Sequence, residues 1–206
     1  MIDNYIKFSF IVLCFIIALL SYWFCRSKKD WLYLAAAMGF TLISDFFLVI
    51  MANHRMGVLT FCFVHIIYIL RVSNDKEKSI SQITSVICGG GLLFIAFTFV
   101  PFLSPSPLDP LIIFAIVYGS LFVLNLITHI GYYRRGGANR HIILAGLILF
   151  ALCDIHVLMF NLPNYLLVPP EISLWGRTWM WAFYAPSQLL LGISAVDWSD
   201  CQRLEV

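Results

Sequence analysis

Thr41-Leu42-Ile43-Ser44-Asp45-Phe46-Phe47-Leu48-Val49-Ile50-Met51 places a carboxylate inside a run long enough to cross a bilayer. An acid at the centre of a membrane helix costs at least ~2.5–3.5 kcal/mol on insertion scales, so such a residue is a functional candidate from the outset. Leu149-Phe150-Ala151-Leu152-Cys153-Asp154-Ile155-His156-Val157-Leu158-Met159 repeats the situation. The fold class follows from the apolar runs around these acids, and the function must explain the acids themselves.

The whole chain shares this character. Of its 206 residues, 61% are hydrophobic and 12% charged, against roughly 25% charged in a globular domain. A mean hydropathy of +0.90 excludes a soluble domain. The expected fold is all-α: one polytopic transmembrane bundle spanning residues 1–206. A net charge of +2 gives no basis for nucleic-acid binding. The six cysteines (Cys14, Cys25, Cys62, Cys88, Cys153, Cys201) show no C-x-x-C spacing and read as buried free thiols. No cofactor and no metal ion is expected.

A length of ~20 apolar residues per crossing predicts seven spans. They run Tyr5–Cys25, Trp31–Ala52, Gly57–Val72, Ser81–Phe102, Asp109–Tyr132, Asn139–Asn161 and Arg177–Val196. The first is too long and apolar for a signal peptide, lacks a small-residue cleavage site and is expected to be retained. Pro101, Pro105, Pro107 and Pro110 punctuate one loop, and Pro163, Pro169 and Pro170 another. Gly89-Gly90-Gly91 predicts close packing or a kink in the fourth span. Loops on one side, with the C-terminal tail, hold Arg26, Lys28, Lys29, Arg71, Lys76, Lys78, Arg134, Arg135, Arg140 and Arg203, while the other side holds Lys7, Arg55 and Arg177. The positive-inside rule therefore predicts an outside N-terminus and a cytoplasmic C-terminus in a cell membrane.

Depth then sorts the polar residues. At ~1.5 Å per residue, Asp45 and Asp154 lie ~20 Å up spans two and six, and His65 and Tyr118 ~12 Å down spans three and five. Tyr184 and Gln188 lie ~10–16 Å down span seven. All six fall in one layer of the outer half of the membrane. Phe61, His65 and Tyr68 share a face of span three, Tyr118, Asn125 and His129 a stripe of span five, and Asp154 and Asn161 a face of span six. These faces are expected to point inward, because lipid would leave their hydrogen bonds unmade. Pro186 can kink the last span beside Gln188. His54, His129 and His141 lie near span ends and read as interfacial, and His156 points away from Asp154. The bland reading of the acids is structural: a bond to Ser44, Thr41 or His65 that fixes helix packing.

Ser44-Asp45, then Gly57-x-x-x-Phe61-x-x-Val64-His65-x-x-Tyr68, Cys153-Asp154 and Tyr184-Ala185-x-Ser187-Gln188-Leu189-Leu190 together resemble the YhhN-like family over about residues 31–196. Its characterised members are lysoplasmalogenases, multi-spanning enzymes that hydrolyse the vinyl ether bond of lysoplasmalogens. Val64 and Ser187 stand where the family has small residues before the His and the Gln, and the seven spans are one N-terminal helix short of the family's usual eight. The resemblance implies a lysophospholipid substrate within the bilayer and acid/base catalysis by Asp45 and Asp154, one protonated and one ionised. It implies that His65 and Gln188 orient the acids or a water, and that Tyr68, Tyr118, Asn125 and Tyr184 line the substrate site. Two carboxyls with separate acid and base duties follow the logic of glycosidases. The alternatives are a small proton-coupled membrane transporter and a metal-dependent intramembrane lipid hydrolase using Asp45, His65, Asp154 and His156. A retinal protein is disfavoured, because the last span has no lysine.

Overall fold

A computed structural model describes residues 2–72, 110–136, 139–164, 167 and 169–198. The fourth expected span, with Gly89-Gly90-Gly91 and Cys88, lies outside the described residues, as do Lys76, Lys78, Cys201 and Arg203. Among the described residues there are six α-helices and no strand. They are α1 (Ile2–Leu20), α2 (Lys28–Asp45), α3 (His54–Val72), α4 (Pro110–Arg134), α5 (Arg140–Asn161) and α6 (Pro170–Gly192).

Among the described residues, five helical segments are long and apolar enough to cross a membrane: Asp3–Phe24, Lys28–Ile50, His54–Val72, Ile113–Arg134 and Arg140–Asn161. This is an integral membrane protein with an all-helical fold. Of the seven expected crossings, five meet the criterion, the fourth lies outside the described residues, and the seventh, α6, does not meet it. α6 falls outside it because Glu171, Arg177, three tryptophans, Pro186 and Gln188 dilute its apolar content over 23 residues. It also begins at Pro170, seven residues before the expected Arg177, with proline at its first position and Glu171 in its first turn, both favourable at a helix N-terminus.

Small residues set the helix spacing, as expected where lipid removes the hydrophobic drive for association. Among the described helices, α5 and α6 pack most extensively. A Cβ on Gly176 would lie 2.5 Å from the His156 carbonyl oxygen and from the Phe160 nitrogen. A Cβ on Gly146 would lie 2.9 Å from the Leu191 side chain. At α2 and α3, Gly57 receives Leu48, and Ser44 Oγ donates to Thr60 Oγ1 at 2.8 Å.

At Asp45 the winding changes. Phe46–Ile50 form one π-turn, in which the Met51 N–H reaches the Phe46 carbonyl at 3.0 Å. Asn4 Nδ2 donates to the Val49 carbonyl at 3.1 Å, so α1 pins the turn. Wide turns of this kind recur at functional sites.

The opposite end of the bundle is tied by Arg71. Its Nε and Nη2 donate to the two carboxylate oxygens of Asp30, and its Nη1 to Ser194 Oγ, all at 2.7 Å. Asn139, in the left-handed region at φ 51°, donates to the carbonyls of Ser194 at 2.9 Å and Val196 at 2.6 Å. Val196 bridges to Cys25, and the Asp197 N–H donates to Phe24 at 2.8 Å. Three separate chain segments are thereby joined to the residues that follow α6, and Arg71 ties in Asp30 of α2 as well. Cys14, Cys25, Cys62 and Cys153 are free thiols.

Candidate functional site: two carboxyl–phenol pairs in the bundle interior

Asp45 is the last residue of α2 and is 3% exposed, so its carboxyl needs an internal partner. That partner is Tyr184 of α6, whose Oη donates to Asp45 Oδ2 at 2.5 Å. Ser44 and Thr41, the structural partners considered for Asp45, bond elsewhere: Ser44 to Thr60 and the Phe40 carbonyl, Thr41 to the Ala37 carbonyl. Asp154 on α5 is half-buried and repeats the arrangement. Tyr118 of α4 donates through Oη to Asp154 Oδ2 at 2.6 Å. In each pair Oδ2 takes the phenol, and no described residue bonds Oδ1.

Phe150 joins the two pairs. It sits one turn before Asp154 on α5, 2% exposed. Its ring centroid is 5.7 Å from Tyr184 on one side and 5.8 Å from Phe61 on the other, and Phe61 lies 6.1 Å from Tyr118. His65 closes the cluster, 5.0 Å from Tyr118, 5.0 Å from Phe122 and 5.7 Å from Phe150. Edge-on and tilted rings at these separations pack favourably. Four helices thus contribute the two acid–phenol pairs, and one aromatic cluster holds both phenols.

Below the carboxyls lies a second polar tier. Asn125 Nδ2 meets His65 Nδ1 at 3.1 Å, and His129 Nδ1 meets the Asn125 carbonyl at 2.9 Å. Asn125 follows Tyr118 by seven residues on α4, so this tier begins ~10 Å further along that helix. His65 therefore bridges tiers: its ring touches Tyr118 above, and its Nδ1 binds Asn125 below. Gln188, one turn past Tyr184, is 1% exposed, and Ser187 is 0% exposed. His65 Nε2, Asn125 Oδ1, His129 Nε2, Ser187 Oγ and both polar atoms of Gln188 are buried and have no hydrogen-bond partner among the described residues. Buried polar atoms of this kind are costly unless something polar meets them.

Tyr68 stands apart from the acids. Its Oη contacts Met38 Sδ at 3.7 Å, and its ring lies 6.4 Å from His129. His129 corrects the interfacial reading. It is 1% exposed, and its ring packs against Tyr68 in the bundle interior. His54 and His141 are exposed. Asn161, expected to align with Asp154, bonds its own helix at the Val157 carbonyl. His156 turns to Phe183 and bonds the Leu152 carbonyl. Among the described residues no three His, Cys, Asp or Glu side chains gather as a metal site would require. The phenol partners were visible in sequence only as tyrosines at the same depth as the acids. Phe150, in the middle, carried no polar signal.

A bundle of apolar, membrane-length helices that holds two carboxyls in its interior, each bonded to a phenol on a neighbouring helix, is an integral membrane protein with a buried polar site. The family profile agrees in extent. Residues 4–195 match the YhhN family, and the chain belongs to it. That family is associated with lysoplasmalogenase. The chain matches no curated protein and no solved structure.

Proposed function

We propose that this protein is an intramembrane hydrolase that cleaves the vinyl ether bond of lysoplasmalogens, with Asp45 and Asp154 as its acid/base pair. Family membership suggests a hydrolase. The observation that carries the finer reading is the pair of acid–phenol contacts leaning on one aromatic cluster.

One carboxyl, protonated, gives its proton to the alkene carbon remote from oxygen. The C=C pair forms the new C–H bond and leaves an oxocarbenium ion. Water adds to the cation as the second carboxyl, ionised, takes its proton, and a hemiacetal results. The second carboxyl then protonates the glycerol oxygen while the first recovers a proton from the hemiacetal hydroxyl. The C–O bond breaks, and a fatty aldehyde and a glycerophospho-base leave. Both carboxyls end as they began. Tyr118 and Tyr184 hold Oδ2 of each acid and leave Oδ1 for substrate or water. His65 and Gln188 orient the water through atoms that are otherwise orphaned, with Asn125 fixing His65. The lipid enters from the non-cytoplasmic leaflet, where its sn-1 linkage lies a few bonds below the headgroup.

The test is incubation of the detergent-purified protein with a vinyl ether lysolipid, scored by aldehyde release. The saturated alkyl ether should survive, because it offers no carbon to protonate. Asp45→Asn and Asp154→Asn should each abolish turnover while the protein elutes as the wild type does. Full activity in either variant removes the pair from the mechanism, and no aldehyde from folded wild type removes the hydrolase reading.

A further inference from the structure

The mechanism leaves Lys7 unused. A cation on an apolar helix is costly unless it is functional, and a lysine near a helix end ordinarily extends into water. Lys7 is instead held in place. Its ammonium bonds Asp3 at 2.5 Å and lies 5.3 Å from the centroid of the Trp181 ring. Its side chain is 28% exposed, while that of Asp3 is 69% exposed.

Trp181 leads inward. Its ring meets Tyr184 edge-on at 5.2 Å, and Tyr184 bonds Asp45. Arg177 stands one turn before Trp181 on the same face of α6 and acts electrostatically on Asp3. One stripe of α6 therefore runs from an exposed guanidinium, past the indole under Lys7, to the phenol on Asp45. Arg177 and Tyr184 are ~10 Å apart along the helix axis.

We propose that Lys7 and Arg177 seat the phosphate of a zwitterionic lysolipid headgroup, and that Asp3 receives its ammonium. This rests on the hydrolase reading above and names the recognition half of that site. The dimensions agree. Seven bonds separate phosphorus from the far vinyl carbon, a reach of ~8 Å at the extension of a saturated chain. A phosphate at the rim thus brings the vinyl ether to Asp45 along the indole of Trp181. The chemistry agrees as well. The guanidinium fork and the ammonium point charge are the two side-chain groups that bind phosphate. An exposed Lys–Asp pair is worth little by itself, so a phosphate can take the ammonium while Asp3 turns to the headgroup amine.

The experiment uses the full-length protein in micelles and two substrates: a 1-alkenyl lysolipid with a phosphoethanolamine head, and the 1-alkenylglycerol that lacks it. For wild type, kcat/KM favours the phosphorylated substrate. In Lys7→Gln/Arg177→Gln that preference falls at least tenfold, through KM, while Lys7→Arg/Arg177→Lys keeps it. A preference within twofold of wild type in the glutamine variant overturns the proposal. So does inhibition of wild type by inorganic phosphate without any loss of lipid preference in that variant, since the seat would then serve free phosphate. If wild type turns over neither substrate, the hydrolase reading fails separately. Thermal-shift binding of a saturated lysophospholipid against its phosphate-free glycerol ether then decides the seat, which is overturned if the glutamine variant binds both as wild type does.

Discussion

Removing one oxygen at Tyr184 separates the acid–phenol contact from everything else that residue does. Tyr184→Phe keeps the ring, and with it the contacts to Phe150 at 5.7 Å and Trp181 at 5.2 Å. It loses only the 2.5 Å bond to Asp45. A hydrogen bond to a charged group contributes about 1.5–3 kcal/mol. At 1.36 kcal/mol per tenfold in rate, kcat should fall about 10- to 150-fold. Tyr118→Phe makes the same test at Asp154; since one of the two acids is protonated, the phenol on that acid should matter less, about 0.5–1.5 kcal/mol or about 2- to 10-fold in kcat. Tyr133→Phe, whose ring packs on His141 at the other end of the bundle, is the control for tyrosine content. The assay is aldehyde release per folded protein, with the folded fraction taken from size exclusion. A Tyr184→Phe enzyme whose kcat stays within twofold of wild type would refute the claim that the phenol holds Asp45 for catalysis.

Three further outcomes concern the scaffold and are read by thermal unfolding in detergent. Gly57→Ala drives a methyl into the Leu48 side chain and to 3.3 Å from the Ser44 carbonyl, and should cost about 1–3 kcal/mol; Leu48→Ala should recover most of it, because the obstacle is a side chain. Gly176→Ala meets backbone atoms of His156 and Phe160 at 2.5 Å, so it should cost more, and Phe160→Ala should not rescue it. Arg71→Gln breaks three bonds of a buried guanidinium, but Asp30 is 38% exposed and can turn to water, so the loss should be about 3 kcal/mol rather than more. An unaltered melt for any of the three would mean that the contact is relieved elsewhere.

Apolar run length was enough to read an all-helical membrane fold, and the cost of a carboxylate in oil was enough to single out Asp45 and Asp154. Depth counting placed Tyr118 and Tyr184 level with the acids, yet it could not tell a lining residue from a direct donor. That distinction depends on which helices are neighbours, and α4 against α5 and α2 against α6 are tertiary facts. Arg71 was read only as a loop charge setting orientation. Its burial depends on Ser194, more than a hundred residues away in sequence. The start of α6 is legible in Pro169-Pro170-Glu171, a helix-start signal to which a criterion of apolar run length is blind. The π-turn has no sequence signature here, since Phe46–Ile50 is uniformly apolar and suits ordinary winding equally well.

That wide turn means the segment after Asp45 carries one residue more than regular winding would use. Deleting any one of Phe46, Phe47, Leu48, Val49 or Ile50 would let the turn tighten and leave Asp45 and the whole of α2 in register. The same deletion in α5 just before Asp154 would swing that acid by ~100° about its axis, away from Tyr118. Tolerance to changes of chain length is therefore unequal at the two acids, and length variation among relatives should collect on the C-terminal side of Asp45.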